Sequence, residues 1–564
     1  MNRRVGKFAP TLDRAGRHAA DVARTFHLTL VLSAAIGVLT GLGVAAFDAS
    51  VDHVLGVVLD QNLVVLMAVP ALGLVAVAVL NAKWGDGDTA TTDAYVRAYH
   101  QRGGTLSLRA LWRKVTASAV TLASASALGF EGPSVLIGGT IGSAVDERFA
   151  SRVRRDDAKV LMVAGAAAGV AAVFKAPLTG VIFALEVPYR ADLARRALLP
   201  SLVAAGSAYV TYVAIVGTTP LLSTGGSAPF NLTDLGGGLL LGLVCGVLAR
   251  IGAWAIAHAK HLPLPPIARV VMAASAIAAL APLAHWWFEA PLHLGPGYEA
   301  IHWAAASDRT VAVLVGLFAI RALSTWLCVS GGGVGGLFIP LVTQGAIVGS
   351  IFQHVAPASN AQLFPTVGIA AFLGAGYRTP LAGVAFVAEA TGQPGFLVPA
   401  LLAAAAAQIM MGRWSFSVFQ RNERLPDVGP LARLPIAEIM SPNPDTIDAS
   451  LTLDDVVTTM LAQNRRWAPV VHGTEYFGLL AVTDVVKIPR SEWPNITAQD
   501  VARTDLLPAA PDDAVSTVAT RLRASDSGAV AVTAEGRVAG VVTLRDLRNI
   551  EVLLDRLSDD TQPR

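Results

Sequence analysis

Residues 175–186 read KAPLTGVIFALE, and residues 378–389 read RTPLAGVAFVAE. The two stretches align without a gap, with identical Pro, Leu, Gly, Val, Phe and Glu, at an offset of 203 residues (378 less 175). The same offset joins four further pairs of glycines: Gly129 with Gly332, Gly132 with Gly335, Gly142 with Gly345, and Gly165 with Gly368. Shared apolar composition is the competing explanation, but it does not produce a constant offset. The pattern therefore predicts a chain built from two related halves.

The composition is that of a polytopic membrane protein. Of 564 residues, 53% are hydrophobic and only 15% are charged, whereas soluble domains carry about 25% charged residues. A formal net charge of +2 predicts no nucleic-acid partner. Apolar runs approach or exceed the roughly 20 residues that span a bilayer; they lie at 27–47, 62–80, 199–217, 235–258, 267–290, 312–328 and 397–411. We expect an all-α membrane domain inserted in a lipid bilayer.

Shorter apolar pieces, broken by Gly and Pro, separate these runs. They lie at 115–130, 134–149, 158–174, 177–187, 338–352, 366–376 and 380–391. Pieces of this length predict helices that break at membrane depth and line a polar cavity. Broken helices in matching places of duplicated halves predict a transport site where the halves meet.

One carboxylate lies inside a broken segment: residues 129–134 read GFEGPS and contain Glu131. A lone charge at membrane depth is costly, so its expected use is functional. Two roles are open at this point. The carboxylate could compete with a transported ion, or it could carry a proton.

The second half contains a glycine-rich break, because residues 330–340 read SGGGVGGLFIP. So many glycines do not form a stable helix interior, and we expect this segment to open a helix. Unpaired N–H groups at a helix start, with the positive end of the helix dipole behind them, form an anion site without a basic side chain. Close helix packing is the alternative use of such glycines. An anion is the predicted cargo.

At these residues the chain resembles the CLC family of chloride channels and chloride/proton antiporters. Residues 129–133, GFEGP, are similar to the family signature G-(K/R)-E-G-P, with Phe130 in place of the basic residue. Residues 336–340, GLFIP, are similar to its signature G-x-F-x-P. The resemblance covers about 27–419. It implies a homodimer in which each subunit has its own pore and two inverted halves, at about 27–217 and 235–419.

The resemblance also implies roles for individual residues. Glu131 would be the gate, whose carboxylate occupies an anion site when closed and swings away or takes a proton when open. Chloride, or a similar small anion, would be held by an expected set that comprises Gly129, Phe130, Glu131, Gly132, Gly336, Leu337, Phe338 and Phe416.

Two positions depart from the family pattern. Antiporters of the family usually have a glutamate directly after Glu186, and here that residue is Val187. Valine cannot carry a proton, so tight proton coupling is in doubt. Glu186 itself has two open roles, proton handling or a structural role at a helix end like that expected for its repeat mate Glu389. Phe416 replaces a tyrosine that usually donates a hydroxyl, which predicts weak binding at the central site.

The family's first signature, G-S-G-I-P, is poorly matched by residues 85–92, which read GDGDTATT. A hydroxyl from Thr89, Thr91 or Thr92 would replace the family's serine. Asp86 and Asp88 would repel an anion, so we expect them at the membrane edge or at a helix cap.

A second, smaller repeat follows a linker at 420–435. Residues 436–490 and 497–557 both show β-α-β-β-α order and resemble a CBS-domain pair, an α+β regulatory module that is cytoplasmic in CLC proteins. In that family a Thr/Ser-x-x-Asp motif can hold an adenine nucleotide, and Thr543 with Asp546 fit it. The first copy has Ala481 and Asp484, so its hydroxyl is missing. A ligand-free dimerisation module, with Asp546 capping a helix, is the alternative.

The favoured function is therefore a gated chloride pathway, channel-like or weakly coupled to protons. A chloride/proton antiporter with another proton route is the second hypothesis, and a CBS-regulated cation carrier or nucleotide sensor is the third. We expect neither an enzyme, nor a metal site, nor a required cofactor; Cys245 and Cys328 lie in apolar runs as core residues. Basic residues within 1–26 favour a cytoplasmic N-terminus, in a bacterial inner membrane.

Overall fold

The computed structural model describes residues 9–84, 91–101, 104–149, 158–222, 230–306, 309–421, 434–462, 465–524 and 528–547. The side chains of 9–26 are not described. The expectations for Asp86, Asp88, Thr89 and the basic residues before the first span thus lie outside the described residues. The chain divides into two compact units, Met1–Glu423 and Arg424–Arg564, each of which is treated by itself.

The first unit consists of helices joined by turns and short irregular segments in its described part. Its α-helices are α1 (Ala9–Leu59), α2 (Leu63–Trp84), α3 (Thr91–Gln101), α4 (Leu108–Ala123), α5 (Glu131–Phe149), α6 (Ala158–Phe174), α7 (Pro177–Glu186), α8 (Leu198–Val216), α9 (Leu232–Lys260), α10 (Pro266–Phe288), α11 (Tyr298–Ala304), α12 (Val311–Ser330), α13 (Phe338–Val355), α14 (Leu363–Tyr377), α15 (Pro380–Thr391) and α16 (Leu397–Met411).

Eight of these helices are long and apolar enough to cross a membrane, and four shorter apolar ones lie between them. This confirms the expected all-α polytopic fold with broken helices. Two short helices, α3 and α11, were not predicted, because neither lies in an apolar run. The piece predicted at 115–130 ends as a helix at Ala123, since the chain turns at Ala125, which has a φ of 61°.

The repeat is visible in matching helix starts. Helices α7 and α15 begin with a proline at the first helical position, Pro177 and Pro380, where its fixed φ suits a helix start. Each is preceded by a basic residue in the left-handed region, Lys175 with a φ of 53° and Arg378 with a φ of 57°. A positive φ is uncommon for residues other than glycine. Its occurrence at both positions of the 203-residue offset shows that the two halves repeat in backbone conformation as well as in sequence.

Glycines allow the closest helix crossings. Helix α5 packs on α6 where Gly138 faces Gly165, and α13 packs on α14 where Gly345 faces Gly368. A Cβ on either member of a pair would collide with the backbone carbonyl of the other member. Lipid gives no hydrophobic drive for helix association, so close backbone packing through small residues takes that role.

The described part of the second unit is a six-stranded sheet with helices. Its elements are β1 (Ser441–Pro442), β2 (Ile447–Asp448), α17 (Leu453–Ala462), β3 (Trp467–His472), β4 (Glu475–Ala481), α18 (Val482–Val485), α19 (Ala498–Val501), α20 (Val515–Ala524), β5 (Ala529–Ala534) and β6 (Arg537–Thr543).

Two antiparallel hairpins dominate this sheet. They are β3 with β4 and β5 with β6, and they meet where Glu475 pairs with Arg537. Strand β2 joins β3 in parallel, and Ala509 forms the corresponding parallel bridge to Val532 of β5. Each hairpin covers its own apolar cluster, one around Val456 and Val470 and one around Val518 and Val530. The two copies of the smaller repeat therefore have the same construction.

Substitution at a crossing glycine tests this packing. We expect Gly165→Ala to lower the free energy of unfolding by about 3 kcal/mol, because the added methyl group is forced into a backbone carbonyl. Gly206→Ala in α8 is the matched control, since a Cβ there meets no atom within 4 Å; it should raise stability by up to about 1 kcal/mol through helix propensity. Thermal unfolding of the purified proteins, followed by tryptophan fluorescence, measures both. Equal midpoints for the two variants would contradict the close crossing.

Candidate functional site

A short backbone bridge joins the broken segments of the two halves. The N–H of Gly129 donates to the carbonyl of Gly336 at 2.8 Å, and the N–H of Gly336 donates to that of Gly129 at 2.9 Å. The two residues form an antiparallel pair that exchanges both hydrogen bonds. Because α5 begins two residues after Gly129 and α13 two residues after Gly336, the bridge places both helix starts side by side.

Glu131, the first residue of α5, directs its carboxylate to the start of α13. The side chain is fully buried, and Oε1 accepts a hydrogen bond from the backbone N–H of Phe338 at 2.5 Å. The positive end of the α13 dipole stabilises a negative charge there. Oε2 has no hydrogen-bond donor among the described residues. The carboxylate thus occupies the position that the sequence predicted for an anion, with one oxygen still available.

Glycine is required on both sides of this carboxylate. A Cβ on Gly129 would overlap Oε2 of Glu131, and a Cβ on Gly336 would overlap Oε1. Gly132 lies equally close to the next element, because a Cβ there would overlap the hydroxyl of Thr91 at the start of α3. The hydroxyl of Thr91 donates to the carbonyl of Gly335 at 3.3 Å. The starts of α3, α5 and α13 therefore meet around the side chain of Glu131.

Aromatic rings surround the Phe338 end of the site. Phe338 contacts Phe183 at 5.4 Å and Phe386 at 5.1 Å between ring centroids, both edge to face. These two phenylalanines are repeat mates, so the halves contribute equivalent rings. Phe174 adds a closer, tilted contact at 4.5 Å, and Phe130 on the other side packs against Phe47 at 6.2 Å. The apolar walls strengthen any electrostatic interaction inside the site.

A tyrosine that the sequence analysis did not single out lies beside this cluster. Tyr377 ends α14, is almost fully buried, and packs edge to face on Phe183 at 5.5 Å. Its hydroxyl faces the hydroxyl of Thr92 and the N–H of Leu337. A comparison with its repeat mate Phe174 could have identified Tyr377 in the sequence, because only the second half has a hydroxyl at this position.

Phe416 lies near Leu337, at the start of α13, but its side chain has no group that could donate a hydrogen bond to an anion there. Its N–H donates to the carbonyl of Gly376 at 2.9 Å, and its ring packs against Gly252 of α9. Phe416 and Leu337 both line an apolar cavity of about 170 Å³.

Glu186 and Glu389 cap each other's repeat. The carboxylate of Glu186, which ends α7, accepts from the N–H groups of Leu381 at 3.3 Å and Ala382 at 2.9 Å, at the start of α15. The carboxylate of Glu389 accepts from Leu178 at 2.8 Å and Thr179 at 2.7 Å, at the start of α7. All four carboxylate oxygens therefore bind helix N-termini, which is the geometry of the structural role considered for Glu186.

The hydrogen bonds described near Val187 involve backbone carbonyls, Gln420 and His100. Val187 is fully buried, and its carbonyl accepts a hydrogen bond from Gln420 at 2.9 Å. Next to it, a ring nitrogen of His100 lies 2.6 Å from the carbonyl of Pro188. The hydrogen bonds described around Val187 thus bring no carboxylate to the position of the antiporter glutamate.

In the second unit, Thr543 and Asp546 bind each other. Asp546 accepts from the Thr543 N–H at 2.8 Å and from its hydroxyl at 2.7 Å, and the Asp546 N–H donates back to that hydroxyl. Thr497 and Asp500 form the same box at the start of α19, where the bonds from Thr497 hold the pKa of Asp500 below its usual range. The motif is thus used locally as a helix cap.

In the first copy, Ala481 stands at the position of Thr543. Asp484 pairs with Lys487 at 3.0 Å and with Arg503 at 3.4 Å, so two cations already surround its carboxylate. Among the described residues, no group of three or more His, Cys, Asp or Glu side chains is arranged to hold a metal ion.

Duplicated halves, broken helices and helix N-termini that meet on one carboxylate define a membrane transport protein for anions. Residues 72–412 match the family model described as voltage gated chloride channel, and residues 436–491 and 498–552 each match the CBS domain. The chain belongs to the CLC family, with a C-terminal CBS pair. CLC-type anion transport follows from this membership.

Solved structures share the fold. A slow cyanobacterial Cl⁻/H⁺ antiporter is 23% identical, with a TM-score of 0.61 over 69% of this chain and 96% of that one. A CLC-type fluoride/proton antiporter is 21% identical, also at 0.61, over 71% and 98%. A eukaryotic CLC transporter is 19% identical, at 0.58, over 93% and 98%. At these identities the similarity establishes the fold alone.

Removing the reciprocal caps should destabilise the protein symmetrically. We expect Glu186→Ala and Glu389→Ala each to lower the free energy of unfolding by about 1–2 kcal/mol, because each change leaves two N–H groups at a helix start without an acceptor. Glu147→Ala, at an exposed position of α5, is the control and should change it little. Thermal unfolding measures all three. A loss confined to Glu389→Ala would argue against a structural cap at Glu186.

Proposed function

We propose that this protein conducts chloride through a gated CLC pathway in which Glu131 is the gate. One observation carries the proposal: the Glu131 carboxylate lies on the first N–H of α13, between two glycines that leave room for nothing larger. An acceptor of this charge at a helix start is a substitute for a bound anion. Chloride and Glu131 would therefore compete for the same donors.

The chemistry of a carboxylate suits this exchange. When ionised, it forms a charge-assisted hydrogen bond to the Phe338 N–H and closes the site. When protonated, it loses that attraction, and an arriving chloride can take the N–H groups in its place. The backbone of Gly129, Phe130, Gly132, Gly336 and Leu337 would line the vacated position. Opening should therefore increase as the pH falls.

Proton coupling is expected to be weak or absent. The antiporter glutamate is replaced by Val187, and the adjacent Glu186 is committed to two N–H groups of α15. A proton that reached Glu131 would find no carboxylate at position 187 to continue to. Conduction would then be passive, with protonation acting as a switch.

A chloride/proton antiporter with another internal proton route is the second candidate. It is favoured by the similar solved structures, two of which are described as proton antiporters, one for chloride and one for fluoride. These descriptions also make fluoride an anion to test beside chloride.

The rest of the assembly is proposed from the family. We expect a homodimer with one pathway in each subunit, in a bacterial inner membrane, with the N-terminus and the CBS pair in the cytoplasm. Because Asp546 accepts hydrogen bonds from Thr543 as a helix cap, we favour a CBS pair that dimerises and needs no adenine nucleotide.

Reversal potentials in liposomes separate the two candidates. With a chloride gradient across the membrane, we expect the reversal potential to follow chloride alone and not to shift when a pH gradient is added. A shift with the pH gradient would establish coupled exchange and refute the channel proposal. Repeating the measurement with fluoride determines which halide is preferred, and anion flux absent under all conditions would refute both candidates.

Neutralising Glu131 should remove the pH response. Wild-type chloride flux is expected to rise from neutral to acid pH, because protonation releases the carboxylate from the Phe338 N–H. Glu131→Gln and Glu131→Ala should be open at all pH values, with a nearly flat profile in chloride efflux from liposomes. Glu147→Gln serves as the control and should behave as wild type. A Glu131→Ala protein with the wild-type pH response would exclude the gating role.

A further inference from the structure

Two successive amides at the start of α13 face different partners. The N–H of Phe338 is taken by the Glu131 carboxylate, whereas the N–H of Leu337 faces the hydroxyl of Tyr377. We propose that Tyr377, with Thr92 and the Leu337 amide, forms an anion-binding position next to Glu131. The inference rests on the proposed chloride pathway and names the side chains that give it a hydroxyl site.

Burial is the first argument. Thr92 lies in the first turn of α3 and is 3% exposed, yet its hydroxyl has no hydrogen-bond partner among the described residues. Buried polar groups in folded proteins are normally paired, so an unpaired hydroxyl indicates a missing partner. Tyr377 is 2% exposed and directs its own hydroxyl to the same place. A chloride ion between them would accept from both O–H groups and from the Leu337 N–H.

The carboxylates near this position do not prevent an anion from binding there. The carboxylates that face Tyr377 are Glu131 and Asp93. Asp93 forms an ion pair with Lys260 at 2.7 Å, and it also accepts from the hydroxyl of Ser417 at 2.7 Å. Its charge is thus balanced by a cation. Of these two carboxylates, Glu131 has no paired cation in the part of the chain that the structure describes, and it moves away when the gate opens.

Tyr377 is held rigidly enough to define a site. Its carbonyl accepts a hydrogen bond from Gln420 at 2.7 Å, its ring packs on Phe183, and α14 ends directly after it at Arg378, in the left-handed conformation. Donors that are fixed before binding need little reordering when an anion arrives.

The source of the hydroxyl is particular to this chain. Phe416 stands where the resemblance calls for a tyrosine, and it has no hydroxyl to give. Tyr377 comes from the end of α14 instead, and its repeat mate Phe174 lacks the group. The central donor has therefore been supplied from a different helix, and only by the second half.

Chloride titration calorimetry of the purified full chain tests the site directly. The background is Glu131→Gln, which removes the competing charge. We expect Tyr377→Phe in this background to weaken chloride binding about tenfold, equivalent to roughly 1.4 kcal/mol, because a hydrogen bond to a charged group is lost. Thr92→Val, which preserves shape, should weaken binding similarly.

Tyr95→Phe is the matched control. Tyr95 is also a fully buried tyrosine, but its hydroxyl donates to the carbonyl of Ala184 at 2.9 Å. Its removal should leave the chloride affinity unchanged. The control therefore separates the loss of an anion donor from the loss of any buried hydroxyl.

The outcomes are distinct. Unchanged chloride affinity in both Tyr377→Phe and Thr92→Val would overturn the inference. Chloride flux through the wild-type protein would uphold the proposed function in that case. Restoration of binding by adding Phe416→Tyr to Tyr377→Phe would show that a hydroxyl from position 416 can replace that of Tyr377, and it would support the inference. Absence of both chloride binding and flux in wild type and in Glu131→Gln would refute the proposed function itself.

Discussion

The fold of the membrane unit depends on the paired hydrogen bonds between Gly129 and Gly336. Backbone that leaves a helix at membrane depth must find partners within the protein, because lipid supplies none. The bridge provides those partners by setting one broken segment against its counterpart in the other half. It also brings the N-termini of α5 and α13 together. Two helix starts so close attract negative charge, and Glu131, as the first residue of α5, supplies it.

Three carboxylates accept hydrogen bonds from helix N-termini. They differ in how many of their oxygens are bonded, and this difference distinguishes the structural carboxylates from the proposed gate. Glu186 and Glu389 each use both oxygens on the helix start of the opposite repeat, so neither can move without leaving N–H groups unpaired. Glu131 uses one oxygen on Phe338 and leaves the other without a donor among the described residues. A carboxylate that is half engaged costs less to displace. The side chain best suited to move is therefore the one that lies between the two glycines.

Much of this arrangement could be predicted from the sequence, because apolar runs, broken segments and a constant repeat offset are local signals. The membrane fold and the duplicated halves were predicted in this way, and the CBS pair was predicted from the β-α-β-β-α order of its two copies and the resemblance that this order carries. Helices α3 and α11 were not, since their residues are too polar or too few to form an apolar run. Tyr377 was also overlooked. It lies just outside the motif at 378–389, and only the packing of α14 on its neighbours brings its hydroxyl to Leu337.

The position of Tyr377 changes what the sequence implied about anion affinity. With Phe416 in place of a tyrosine, weak central binding was the expectation, and a weakly held anion would compete poorly with a tethered carboxylate. Tyr377 and the unpaired hydroxyl of Thr92 restore two donors beside the Leu337 amide. A better-held chloride displaces Glu131 more readily, because two negative charges on adjacent N–H groups of one helix start repel each other. Gating then depends on the difference between the two binding energies, and protonation of Glu131 removes the charge that holds it at the Phe338 N–H.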